Sequence, residues 1–386
     1  MTMSEKLQEF LHGIRDRNIS PLLTELVEVP PGGDVSKIIA LIRDRGVYEA
    51  FLPEESRCGM ISARDILRCT NIGSTKLSIL TSYVPVLAPD ATVGEAARIM
   101  ADYRIRSVPV SDGQKVVSQV NSTNLLKLLN EINEAPITAI ATIDPITLAV
   151  NDNVTKAREL MIRKRIDHLP IRSEKKLAGM LTSVQIVPHI TPPERVGNKS
   201  ISPEPHRSLD FPVRDIMDSN PITCSPRTTT AEALESMLKS DKTYVLVTQW
   251  EEVQGIATHR DFITLIAEVE SEPEIPVYIV GLPEDPFEAE TAKKKFRRAI
   301  GQLHKVVPDI IEARSVIKTK TTDPLKERGR YEVNVHVRTT TDTYSFEDSG
   351  WDLPSIYDAV TDRFKRVLTQ KQQHRKMRDR ERPESS

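Results

Sequence analysis

The sequence predicts a multidomain chain of α/β and α+β character: four copies of one small unit, then a domain of another kind. Three observations carry this expectation. A polar start, a helix and a short apolar strand recur four times in the first two-thirds of the chain. Each copy then closes on a second strand that runs straight into a helix. The last hundred or so residues break the pattern and read β-α-β-β-β-α.

The repeat is seen in "GDVSKIIALIRDRGVYEAFLP", "ATVGEAARIMADYRIRSVPV", "DNVTKARELMIRKRIDHLPI" and "TTTAEALESMLKSDKTYVLV". Val35, Val93, Val154 and Thr230 share one position, and Ile42, Met100, Met161 and Met237 another. The intervals of roughly 58, 61 and 76 residues are long and uneven for a solenoid. Each copy is therefore expected to be a subdomain that pairs with a neighbour. The copies close with "GMISARDIL", "SQVNSTNLL", "GMLTSVQIV" and "GIATHRDFI". A helix that starts on a hydroxyl offers free backbone N–H groups to a phosphate. A carboxylate three residues later can accept hydrogen bonds from ribose hydroxyls. The same residues also make an ordinary helix N-cap, so both readings stand at this point.

In this context the four copies, spanning about Ile19 to Ile266, resemble the cystathionine-β-synthase (CBS) domain family. The strongest matches are "VRDIMDSNPITCSPRTTTAEALESM" with "GIATHRD", and the "IRSVPV" and "IDHLPI" strands. The resemblance implies two tandem modules with clefts for adenine nucleotides (AMP, ADP or ATP) as regulatory ligands, and no required cofactor. The nucleotide-binding pattern falls on Ser62 with Asp65, on Thr182, and on Thr258 with Asp261. The second copy departs from it with Asn121 and Asn124, and the third has Gln185 in place of the acid.

The expected layout is an N-terminal helix over 1–18, a CBS pair over 19–130 and a second over 131–267, with a Pro/Ser-rich insertion at 191–210. An acidic linker over 268–276 follows, then a domain of another kind over 277–370 and a basic tail over 371–386. In the last domain "VYIVG" is a short strand. The first helix opens with Asp285, Pro286 and Glu288 as a capping box and carries Phe296, Ile300, Leu303 and Val307 on one face. "IIEARSVIKTK" alternates, which puts Ile311, Ala313, Ser315 and Ile317 together. "YEVNVHVR" alternates Tyr331, Val333, Val335 and Val337 with polar residues. "DTYSFED" is a weaker strand. The final helix carries Ile356, Val360, Phe364 and Leu368, and beyond Leu368 its apolar stripe stops.

Charge is concentrated here. The whole chain has a formal net charge of -2, yet 22 Lys/Arg stand against 19 Asp/Glu from Glu274 onward. Clustered cations can face phosphate, or can simply be a solvated helix face. No aromatic residues are interleaved with them, so a folded RNA fits better than single-stranded bases. The strand "YEVNVHV" and the stretch "DLPSIYDAVTDRFKRVLTQKQQHRKMR", in this element order, resemble the ribosome hibernation-promoting-factor family. That resemblance implies a seat in the mRNA/tRNA channel of the small ribosomal subunit, with possible reach to the large one. Contacts with rRNA would fall on Lys293, Lys294, Lys295, Arg297, Arg298, Lys305, Lys365, Arg366, Lys371, Arg375, Lys376 and Arg378.

Other chemistry is missing from the pattern. There is no phosphate loop, GxGxxG or HExxH, and no zinc-ligand spacing. His168 reads as structural and His336 as lying on a wet strand face. Three cysteines make no disulfide framework, and no apolar run spans a bilayer, so the expected compartment is the cytoplasm. Neither a membrane nor DNA is expected as a partner. The sequence thus points to a non-enzyme that silences translation on the ribosome, with the repeats sensing nucleotide or bracing the protein. The alternative is a nucleotide-sensing regulator of a partner enzyme.

Overall fold

The computed structural model describes residues 3–30, 32–54, 57–69, 72, 75–129, 135–190, 209–267, 275–284, 286–306, 309–320, 330–340, 342–351 and 353–380. Within these, the side chains of residues 3–6, 8, 286–287, 302, 305–306, 365 and 368–380 are not described. The chain divides into two compact units, Met1–Glu268 and Val269–Ser386.

In the first unit the four copies share one local logic. Each leading helix starts on a side chain that takes up an otherwise open N–H group. Asp34 accepts from the Lys37 amide at 3.0 Å, and Asn153 from the Lys156 amide at 2.9 Å. Thr92 with Glu95, and Thr229 with Glu232, make reciprocal boxes. The helices run Val35–Arg45, Val93–Tyr103, Val154–Lys164 and Thr230–Lys239. The two positions aligned in the sequence are buried in every copy. Each such side chain contributes about 1.5–3 kcal/mol by leaving water.

The segment ahead of each leading helix does not pair first with its own copy. Leu23–Glu25 pairs with Val116–Asn121 of the second copy, and Ser82–Val84 with Cys58–Ser62 of the first. Likewise Thr142–Ile143 pairs with Glu252–Thr258 of the fourth copy, and Asp218 bridges Met180 of the third. Each segment then turns and runs parallel to the first strand of its own copy, as Leu148–Ala149 does beside His168–Ser173. Gly179 marks how close the crossing is: a Cβ there would lie 2.7 Å from the Asp218 carbonyl oxygen. Copies three and four are joined further into one seven-stranded sheet through Lys176 and Glu252.

The helices add a second pairing. One core gathers Val35, Ile38, Ile42, Ile66 and Leu67 of copy one with Val154, Met161 and Ile186 of copy three. The other gathers Val93, Met100 and Leu125 of copy two with Met237, Phe262 and Ile266 of copy four. Neighbours are thus tied by strands and alternate copies by helices. The N-terminal helix, Met3–Arg15, buries Leu11 and Ile14 in the second of these cores. Arg15 donates to the carbonyls of Ile266 (2.8 Å) and Leu265 (3.0 Å), at the end of the helix His259–Ile266. The expected insertion lies outside the described residues up to 208, and the acidic linker up to 274.

The second unit has the element order read from the sequence: Val277–Val280, Pro286–Val306, Ile310–Lys320, Arg330–Thr339, Thr343–Gly350 and Leu353–Arg380. The first two strands are parallel and the others antiparallel. Phe296, Ile300, Leu303, Tyr357 and Phe364 cover Val333, Val335 and Val337. Buried Ser315 meets the Tyr357 hydroxyl at 2.8 Å.

Two expectations change, and one falls outside the described residues. Ile311 is 43 % exposed, because a bulge between Ile310 and Glu312 shifts the alternation and buries Ile310 instead. Glu288 accepts from the Tyr331 hydroxyl, while Asp285, its expected capping partner, lies outside the described residues. The basic stretch from Lys371 does not leave the fold at once. It continues the last helix to Arg380, beyond which the residues are not described.

Candidate functional site

The centre of the first unit is polar, and its plan follows from the repeat. Tyr48, Arg106, Asp167 and Thr243 hold equivalent places just ahead of, or at the entry to, the first strand of each copy. Their carbonyls accept from the amides of Ala63 (2.8 Å), Ser122 (2.6 Å), Ser183 (2.9 Å) and His259 (3.1 Å), each the first residue of a closing helix. This fourfold tie brings the side chains together. Arg106 lies over the Tyr48 ring at 3.5 Å and pairs with Asp167 at 3.3 Å. Tyr48 meets Thr243 at 3.2 Å, and so does His168 at 2.8 Å. Arg64 pairs with Asp167 at 3.3 Å and donates to the carbonyls of Arg165 and Arg104. Ser183 donates to Asp167 at 2.8 Å.

Burial would raise the Asp167 carboxyl, but Arg64, Arg106, His168 and the Ser183 bond together hold it well below the usual range. Burial and the nearby Arg106 push His168 well down, so it is neutral and structural, as its sequence context suggested. Burial also takes His259 down to about 3; its Nδ1 meets Ser122 Oγ at 3.0 Å. Glu49 accepts from the Arg106 amide at 3.1 Å, and burial pushes its carboxyl up to about 7.

Beside this cluster lies a cavity of about 190 Å³. One wall is the exchanged segment of copy three, with Thr142, Pro145 and Ile146. Copy four, paired to that segment through Thr142 and Ile256, adds Thr258, Arg260 and Asp261. Arg104, Arg106, Asp167 and His168 line the cavity as well. Asp261 Oδ2 accepts from the Thr258 amide (2.7 Å) and hydroxyl (2.8 Å), and burial raises its carboxyl. Among the described residues the Arg260 guanidinium makes no hydrogen bond or ion pair, while its carbonyl accepts from the Thr264 hydroxyl at 2.8 Å. Burial, then the charge of Arg64, lowers its guanidinium to about 10, still cationic at neutral pH. The cavity therefore offers apolar walls, a carboxylate acceptor and cationic groups. That combination suits a flat ring that bears hydroxyls and an anionic tail.

The five expected nucleotide-binding residues are not equivalent in space. Thr258 and Asp261 line the cavity. Ser62 and Asp65 are only 6 % and 7 % exposed, bonded to each other at 2.6 Å, with Arg68 3.8 Å from the carboxylate. Thr182 bonds to Gln185 at 2.9 Å. Sequence reasoning missed Arg260, Arg104, Arg106 and Asp167. Their signal was a charged side chain set directly against an apolar strand or inside a cap motif.

The expected RNA-contacting residues also separate. Lys294 and Arg297 are exposed, Lys293 and Arg298 are half-buried, and Arg366 is exposed. Lys294 also lies 3.8 Å from Glu290. Lys295 does not point outward. It is 8 % exposed, and its Nζ is held by Asp358 Oδ1 at 2.9 Å, which ties the two helices. The side chains of Lys305, Lys365, Lys371, Arg375, Lys376 and Arg378 are outside the described residues. Among the described residues no cluster of His, Cys, Asp and Glu could hold a metal ion. No helix among them is long and apolar enough to cross a membrane.

Comparison with known proteins places the first unit. The model of the CBS domain matches residues 76–131, 137–191 and 213–268, the second, third and fourth copies. An uncharacterised protein of Methanocaldococcus jannaschii, MJ1404, is 25 % identical over 296 residues, covering 72 % of this chain and 70 % of its own. An uncharacterised 17.7 kDa protein of Acidianus ambivalens is 32 % identical over 113 residues, covering 28 % of this chain and 69 % of its own. The crystal structure of MJ1225 from Methanocaldococcus jannaschii, described as a candidate archaeal homolog of g-AMPK, superposes with a TM-score of 0.55 at 17 % identity. It covers 65 % of this chain and all of its own. The chain thus contains three CBS domains, and its first unit shares the fold of MJ1225.

Proposed function

We propose that the chain is a nucleotide-responsive regulatory protein in which the cavity of the fourth copy binds an adenine nucleotide, and that it controls a partner through the occupancy of that cavity. The first copy, outside the matched residues, is on this reading a fourth CBS domain, since its caps and strand exchange follow the same plan. The observation that carries the reading is the placement of Asp261 and the buried Arg260 guanidinium together in the cavity lining. Asp261 receives the ribose hydroxyls. Arg260 and Arg104 receive phosphate. The base lies between Ile146 and Ile256. The shared fold with MJ1225 supports a regulatory role of this kind. A nucleotide alters a partner's affinity only as far as it binds the two states differently.

The test is calorimetric titration of the full chain with AMP and ATP. Arg260→Ala should weaken binding about tenfold or more, the worth of one charge-assisted hydrogen bond. Asp261→Ala should do the same. Absence of binding to the wild-type chain at millimolar nucleotide refutes the reading.

A second reading concerns the second unit. Lys294, Arg297 and Arg366 are exposed cations on its two helices. On this reading they engage structured RNA on the small ribosomal subunit and silence translation. Co-sedimentation with ribosomes should fall steeply as salt rises. Lys294→Glu with Arg297→Glu should abolish it, whereas Lys295→Met should leave its salt dependence unchanged. A protein that stays at the top of the gradient at low salt refutes this reading.

A further inference from the structure

The four clefts differ at one side chain, and in two of them its amide ties the cleft across. The third residue of each closing helix is Asp65, Asn124, Gln185 or Asp261. In the second and third copies it reaches the exchanged segment of the neighbouring copy. In copy two, Asn124 Nδ2 donates to the Leu22 carbonyl at 3.1 Å, one residue ahead of the exchanged strand Leu23–Glu25. In copy three, Gln185 Nε2 donates to the Ile216 carbonyl at 3.2 Å, two residues ahead of the bridging Asp218. The two bonds arise in different copies from side chains of different length, yet reach the same place in the repeat.

A carboxylate cannot make this bond, because it only accepts. The equivalent carbonyls in the other two clefts belong to the turns ahead of Thr142 and Ser82. In copy four Asp261 turns one oxygen back to Thr258, and the cavity lies between it and Pro145. Gln185 uses its oxygen for the same cap, accepting from the Thr182 amide at 2.7 Å, and has its nitrogen left over to close the cleft.

We propose that Asn124 and Gln185 are latches that hold the second and third clefts shut by tying the closing helix to the exchanged segment. The AMP readout rests on the function proposed above, while the latch itself does not.

The experiment uses the full chain and two near-isosteric variants, Asn124→Asp and Gln185→Glu. Amide hydrogen exchange is measured on the segments 22–27 and 216–220. Each variant should speed exchange about tenfold in the segment its latch holds and leave the other segment unchanged. Unchanged exchange in both segments overturns the latch. A general rise throughout the unit would also overturn it, because it would mark ordinary loss of stability. AMP titration supplies the second readout. Binding at the fourth copy should be unaffected by Gln185→Ala and weakened about tenfold by Asp261→Ala. Saturation of more than two sites per wild-type chain would overturn the latch, because it would mean that a tied cleft is open. Absence of AMP binding would instead refute the proposed function, and the exchange result would still decide the latch.

Discussion

Glu49→Gln should stabilise the first unit at neutral pH, which makes it a sharp probe of the polar centre. Glu49 is 4 % exposed and accepts from the Arg106 amide, a bond that the glutamine oxygen can keep. Burial raises its carboxyl from 4.5 to about 7, against the pull of Arg106. Below about pH 4.5 the side chain is protonated in both the folded and unfolded chains, so the substitution changes little. Between 4.5 and 7 the unfolded chain loses its proton and the folded one keeps it, so wild-type stability falls as pH rises. Above 7 both are ionised and the loss is complete. At about 1.4 kcal/mol for each tenfold, the full difference is about 3 kcal/mol. The assay is urea unfolding of the full chain from pH 4 to 8, followed by pulsed hydrogen exchange on peptides within 46–62, so that only this unit is read. The variant should match wild type near pH 4 and gain about 3 kcal/mol by pH 8. A gap that does not change with pH, or a variant less stable at pH 8, refutes the reasoning.

Asp167→Asn should have the opposite effect in the same assay. It leaves Arg64 and Arg106 buried without their carboxylate, at a cost of about 3–5 kcal/mol. Because the Asp167 carboxyl is depressed in the folded state, that cost should shrink as pH falls below about 4. In the second unit Gly281 has φ +77, and a Cβ there would lie 2.1 Å from the Ile317 carbonyl oxygen. Gly281→Ala should cost about 2–4 kcal/mol, read as faster exchange in 310–320, with the first unit unaffected.

The repeat was legible because helix caps and core positions are local. Asp34, Thr92, Asn153 and Thr229 start their helices, and the apolar residues that follow are buried in each copy. The partner of each helix was not legible. Ile66, Leu125, Ile186 and Phe262 are all apolar, and nothing in their neighbourhood says that copy one meets three and copy two meets four. The candidate site was half legible. Thr258 and Asp261 stood in a recurring motif, but Arg104, Arg106 and Asp167 reach the cavity through contacts between copies. In the second unit alternation found Tyr331, Val333, Val335 and Val337, and failed at Ile311 because a bulge adds a residue without a sequence mark. Lys295 was misplaced for a similar reason: a long side chain can bury its stem and still reach a carboxylate.

Arg15 grips carbonyls some 250 positions further along the chain. During synthesis the first helix therefore emerges long before its anchor exists. The helix can settle early against Val93–Tyr103, where a Cβ at Gly94 would lie 3.2 Å from the Arg15 Cβ, but its two bonds to copy four wait until Leu265 and Ile266 have left the ribosome. The last closure of the first unit consequently comes late, once copy four is complete. Its nascent stage is the period in which it is most open to aggregation and most dependent on a holding chaperone.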